Sequence, residues 1–152
     1  MRSFPPLNAE GDLPAGIYLS SLMELGNAFG SISRERHSLF QRIARIYGIA
    51  KATGHLARFV VFGSFVSDKP LPNDVDVFIV FGEYFDASSC SGEALILLDH
   101  AKADAYFGAS VFWLRRPAAL DGEQASIEFW QTRRDGRQRG IIEIEESNDD
   151  RI

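Results

Sequence analysis

A chain of 152 residues is long enough for one domain with a real core, one that buries about 70% of the surface exposed when unfolded. The net charge of −5 gives no bulk attraction for a nucleic-acid backbone, so any such contact needs a local basic patch. Cys90 is the only cysteine, which excludes an internal disulfide and a cysteine-based zinc site and suits a reducing compartment. The start, Met1-Arg-Ser-Phe-Pro-Pro6, lacks the apolar segment of a secretory signal, and no apolar run approaches the ~20 residues of a membrane span. These features predict a soluble, cytoplasmic protein with no membrane contact.

Residues 1–20 read as an extended N-terminal arm, rich in turn formers at Pro5, Pro6, Gly11, Pro14 and Gly16. Ser21-Leu-Met-Glu24 is a capping box and predicts a short helix over 21–29, stopped by Gly30, with Leu22, Leu25 and Phe29 on one face. Ser33 can cap a longer helix that runs to Ala52 before Gly54. Its stripe is Leu39, Phe40, Ile43, Ala44, Ile46, Tyr47 and Ala50, which leaves Arg34, Arg36, Arg42 and Arg45 to a solvated face. The apolar run Phe59–Phe62 predicts a buried strand that breaks at Gly63-Ser64. A Pro-rich loop follows, then a second buried strand over Val75–Phe81. After a loop from Gly82 to Gly92, one helix is predicted from Glu93 to Phe107, with Gly108 as its left-handed cap. His100 on that helix has no second His or Cys at metal spacing and reads as a packed or surface residue. A third strand spans Ala109–Leu114. Ile127–Thr132 and Gly140–Glu145 flank Asp135-Gly136 and predict a hairpin, followed by a polar tail over 146–152. The order predicts an α+β domain over 21–145, a small mixed β-sheet with helices mainly on one face.

The chemistry concentrates around the two central strands. Asp74 and Asp76 stand at the mouth of the second, and residues two apart in a strand point the same way, about 7 Å apart. Two like charges there repel, and a divalent cation would remove that cost. Carboxylate oxygens suit Mg²⁺, commonly held by one or two carboxylates plus substrate phosphates. Gly63 lets the backbone turn sharply after its strand, Ser64 offers a hydroxyl, and the amides of such a turn suit an anion. An EF-hand is excluded, because the twelfth position counted from Asp74 is Phe85. Neither a Walker loop nor a Gly-x-Gly-x-x-Gly turn is present. Arg133, Arg134, Arg137 and Arg139 cluster around the predicted hairpin turn. They suit either a phosphate-bearing or acidic partner or a soluble edge.

Gly63-Ser64 followed by Asp74-Val-Asp76, each motif on its own strand, resembles the signature of the DNA polymerase β-like nucleotidyltransferase superfamily. More narrowly, the chain is similar to a family of small bacterial nucleotidyltransferase-like proteins. The carrying residues are Gly11-Asp-Leu-Pro-Ala-Gly16, Gly63-Ser-Phe-Val-Ser-Asp-Lys-Pro70 with Pro72-Asn-Asp-Val-Asp76, and Phe129-Trp-Gln-Thr132 with Arg139-Gly-Ile141. The resemblance implies a polymerase β-like fold that binds an NTP with Mg²⁺ or Mn²⁺. It implies catalytic and metal-binding roles for Asp74 and Asp76, and nucleotide-binding roles for Gly63, Ser64 and Lys69. A nucleoside monophosphate would pass to a protein or nucleic-acid (RNA) hydroxyl. The superfamily's third carboxylate is expected on the strand Ala109–Leu114, where Ser110 stands instead. Asp104 is assigned to the preceding helix, and Glu128 and Glu143, on the predicted hairpin, are the other candidate ligands. The alternative is a catalytically degenerate module that binds nucleotide or masks a partner, for example in a toxin–antitoxin pair, an arrangement common among small members of the superfamily.

Overall fold

Near-continuous apolar runs are the mark of strands covered on both faces, and two such runs form the centre of the sheet. The computed structural model describes residues 4–116 and 120–146. Strand β1 is Gly16–Ser20, β2 Leu56–Phe62, β3 Val75–Phe81, β4 Ala109–Arg115 and β5 Gly140–Ile144, in the spatial order β1-β5-β2-β3-β4. The pairs β1–β5 and β3–β4 are parallel, whereas β2 is antiparallel to both β3 and β5. Phe59 and Val61 of β2, with Val75, Val77, Ile79 and Phe81 of β3, face the larger core. Val60, Phe62, Phe78 and Val80 face a smaller one on the opposite side.

The larger core is covered by most of the helices: α1 (Leu22–Leu25), α2 (Arg34–Ala52), α3 (Glu93–Leu97) and α4 (His100–Phe107). Helix α5 (Leu120–Gln131) covers the other face through Ile127 and Trp130. The architecture is therefore α+β, with a five-stranded mixed sheet and helices mainly on one side. Among the described residues no helix is long and apolar enough to cross a membrane.

Several elements differ from the sequence reading for identifiable reasons. The hairpin expected over 127–145 is a helix followed by a strand. Glu123, Ile127 and Trp130 recur at helical spacing and turn inward, while Phe129, which suggested alternation, is 64% exposed. Glu128 accordingly lies on a helix and Glu143 on a strand. The single helix expected over 93–107 is two, because the Asp99 side chain accepts the Lys102 amide and starts α4 anew. The arm expected over 1–20 does run extended at its end, but Gly16–Ser20 is an edge strand of the sheet, and Leu13 is fully buried. The capping box at Ser21 and Glu24 forms as expected, yet the helix passes into a wider π turn over Gly26–Gly30. Gly26 and Gly30 let that turn lie against Phe40: a Cβ on either would come within 2.8 Å of its side chain. Residues 147–152 of the expected tail lie outside the described residues.

Arg36 departs furthest from the solvated helix face. It is 2% exposed, and its guanidinium donates to the carbonyls of Phe29, Phe65, Ser67 and Lys69 at 2.6–3.1 Å. One buried cation on α2 thus fixes the loop that follows Gly63-Ser64. Arg42 donates to the Gly108 carbonyl, and Arg45 pairs with Glu93.

Candidate functional site

Strand β2 ends at Phe62, and Gly63 enters the next turn, a 3₁₀ turn over Gly63–Val66, at φ +82°. A side chain there would be strained by the backbone alone. It would also be excluded by a neighbour: a Cβ on Gly63 would overlap Oδ2 of Asp76 and lie 3.0 Å from its Cγ. Asp76 pairs across the ladder with Phe62, so its carboxylate leans over the glycine and occupies the space a side chain would take. The Gly-Ser turn and the acidic strand, separate in sequence, form one surface.

On the other side of Asp76 stands Ser110, its direct register partner on β4, and the Ser110 hydroxyl donates to the Asp76 carboxylate. The strand position expected to carry a third acid is thus beside Asp76, and serine fills it. Burial, and then the charge of Asp74, push the Asp76 carboxyl up to about 6; Arg139 and the Ser110 hydroxyl act against them.

Asp74 sits just before β3, and its Oδ1 accepts the Val75 amide at 2.8 Å. Burial raises its carboxyl above the ordinary value against that hydrogen bond. The nearby Asp104 raises it further and Arg42 lowers it. Asp74 and Asp104 lie within hydrogen-bonding reach of one another. Asp104 is therefore the third acid near the pair, delivered by α4 rather than by β4. Helix α4 ends at Gly108, immediately before Ala109, the register partner of Val75, and this brings Asp104 to the start of β3.

The other predicted residues have separate surroundings. Ser64 is half-buried, and its carbonyl accepts the Ser67 hydroxyl at 2.6 Å, which tightens the turn. Lys69 is exposed, and its carbonyl is one of those held by Arg36. Glu128 is exposed on α5 and accepts from Gln124. Glu143 is committed to Arg58 at 2.7 Å, in a network that continues through Glu123 to Arg116 and ties α5 to the sheet. Neither glutamate joins the aspartates. The arginine cluster separates into different roles. Arg133 pairs with Asp12, and Arg137 with Glu10 and Asp135, so these two clamp the 133–139 loop to the loop before β1. Arg139 alone turns its charge toward Asp76.

Among the described residues no group of three or more His, Cys, Asp or Glu side chains is arranged to hold a metal ion by itself. Asp74 and Asp76 could hold a cation only together with oxygen ligands from elsewhere. A groove of about 380 Å³ lined by Arg42, Pro72 and Asn73 borders this end of the sheet. A larger one of about 570 Å³, lined by Tyr47, Lys51, Arg58 and Glu143, lies toward the other end of β2 and includes neither aspartate.

The fold and site define an α+β domain with an acidic pair set against a glycine turn. The chain belongs to DUF6932, a family of unknown function that matches residues 5–145. No curated protein and no solved structure matches it.

Proposed function

We propose that this protein is a nucleotidyltransferase-like domain of polymerase β type that binds an NTP together with Mg²⁺ or Mn²⁺. The observation that carries the reading is the Asp76 carboxylate lying over Gly63, with Asp74 and Asp104 alongside. Burying one carboxylate next to another is unfavourable in the free protein, and it becomes favourable when a cation arrives. The amides of the Gly63 turn and the Ser64 hydroxyl would face the phosphates, while Asp74 and Asp76 would hold the metal. The metal supplies neutralisation of phosphate charge and activation of an acceptor hydroxyl. Arg36 keeps the turn rigid, so little order has to be gained on binding.

Ser110 favours a second reading, in which the domain binds nucleotide but transfers it poorly, as a sensor or a partner-masking module. Serine beside Asp76 can donate a hydrogen bond but adds no negative charge for a second cation. Incubation with each labelled NTP and Mg²⁺, with and without cell extract, distinguishes the two. Weak transfer by the wild type that rises in Ser110→Asp, and falls again on adding Asp76→Asn, supports the degenerate reading. Strong wild-type transfer that Asp104→Asn abolishes restores the enzyme, with the third acid on α4.

A further inference from the structure

Arg139 has a buried side-chain N–H for which the described residues provide no acceptor. Its Nε is shielded from solvent and makes no hydrogen bond, and the same is true of Trp130 Nε1. The two residues are neighbours, since the Arg139 amide donates to the Gln131 carbonyl at 2.7 Å. A buried donor without an acceptor is costly, so few persist without reason. Here two stand together on the α5 side of the sheet.

The ladder shows where they stand. Val60 pairs with Glu143 and Val61 with Ile142. Carried on past Phe62, that register sets Gly140 opposite Gly63 and Arg139 opposite Ser64, and the Gly63–Val66 turn does pack against β5. Phe62, Ile141 and Trp130 share the α5 face, with Phe62 and Trp130 stacked at 4.6 Å between ring centroids. Asp76 pairs with Phe62 and leans over Gly63 on the same side. The guanidinium of Arg139 therefore enters the site from the side opposite to Asp104. Of the arginines in the 133–139 loop, Arg133 and Arg137 pair with other carboxylates and Arg134 is exposed, which leaves Arg139 as the one turned toward Asp76.

We propose that Arg139 is a phosphate-binding residue of this site: its guanidinium takes an oxygen of a bound nucleotide's phosphate chain, beside the Gly63-Ser64 turn and across from Asp76. A planar fork of donors suits phosphate oxygens, and the orphan Nε gains its acceptor when the ligand arrives. Asp76 and Arg139 then divide the work, one facing the cation that accompanies the phosphates and the other facing the phosphates directly. The inference rests on the nucleotide reading above, and its test is arranged to fail separately from it.

The test titrates wild type, Arg139→Lys and Arg139→Gln with inorganic tripolyphosphate, with ATP, GTP, CTP and UTP, and with the matching nucleosides, all in Mg²⁺. Arg139→Gln is expected to weaken tripolyphosphate and the preferred NTP about tenfold or more, and Arg139→Lys less. Nucleoside binding should hold. Wild-type affinity of Arg139→Gln for both phosphate ligands overturns the proposal and leaves the nucleotide reading standing. Equal proportional losses for nucleoside and tripolyphosphate also overturn it, since they mark a structural role. If Arg139→Gln does not fold, Arg139→Lys decides by the same comparison. Absence of any tripolyphosphate or NTP binding in the wild type overturns both inferences together.

Discussion

At the scale of single residues, Asp76 sets a testable pH dependence. Its carboxyl, pushed from 3.8 to about 6 chiefly by burial, holds its proton more tightly folded than unfolded. Its stabilising contribution is therefore complete below pH 3.8 and lost as pH rises through 6, a difference of about 2–3 kcal/mol without ligand. Asp76→Asn should be more stable than wild type at pH 7.5, with that advantage shrinking toward pH 4.5 in urea titrations. An advantage that does not change with pH would contradict the assignment. Gly63 offers a second test, against Gly136 as control. Both have φ above +80°, but a Cβ on Gly136 meets open space while one on Gly63 meets Asp76. Gly136→Ala should cost about 1 kcal/mol for backbone strain, and Gly63→Ala clearly more. Adding Asp76→Ala should recover only the excess. Equal costs at the two glycines would show that the carboxylate does not occupy that space.

Among the elements, α2 acts on the site through one side chain. Arg36→Met would leave four carbonyls without their buried donor, and we expect a loss of at least about 3 kcal/mol in chemical denaturation. Arg36→Lys should recover part of it. Amide exchange in the variant should quicken first over residues 65–69. Uniform acceleration across the sheet would show that Arg36 holds the whole fold rather than this loop. How much of this was legible in the sequence varies with the interaction involved. Strand β3 and helix α2 carry their own signals, an unbroken apolar run and a capped 3.6-residue stripe, and both lie where the pattern puts them. The burial of Arg36 was not legible, because three of its four partner carbonyls lie 29 to 33 residues away, and carbonyls leave no mark in a sequence. Strand β1 is a short edge strand with Ile17 and Leu19 half-exposed, so its alternation is weak. Helix α5 hid behind a two-residue alternation around Ile127 and Phe129. Its longer period continues through Glu123, a buried acid that only its arginine partners make acceptable inside. Asp74 and Asp76 could be found because local spacing alone puts them together. Asp104 and Arg139 could not, since each reaches the site through the register of another strand.

For the whole molecule, one end of the sheet gathers like charge, and the proposed ligand would bring the counter-charge. Asp74, Asp76 and Asp104 gather there, with Arg139 on one side and Arg42 on the other. A protein so arranged should gain stability from a ligand that carries both a cation and phosphates, and less from either alone. The most direct measurement is the unfolding midpoint of wild type and of the Asp74→Asn, Asp76→Asn double variant, each with NTP alone, Mg²⁺ alone and both. The account predicts that NTP with Mg²⁺, at a hundred times its dissociation constant, stabilises the wild type by ~2.7 kcal/mol. The double variant should start no less stable and gain nothing. The same gain in both proteins, or no gain in the wild type with any NTP, would contradict the claim that these two aspartates hold a nucleotide-borne metal.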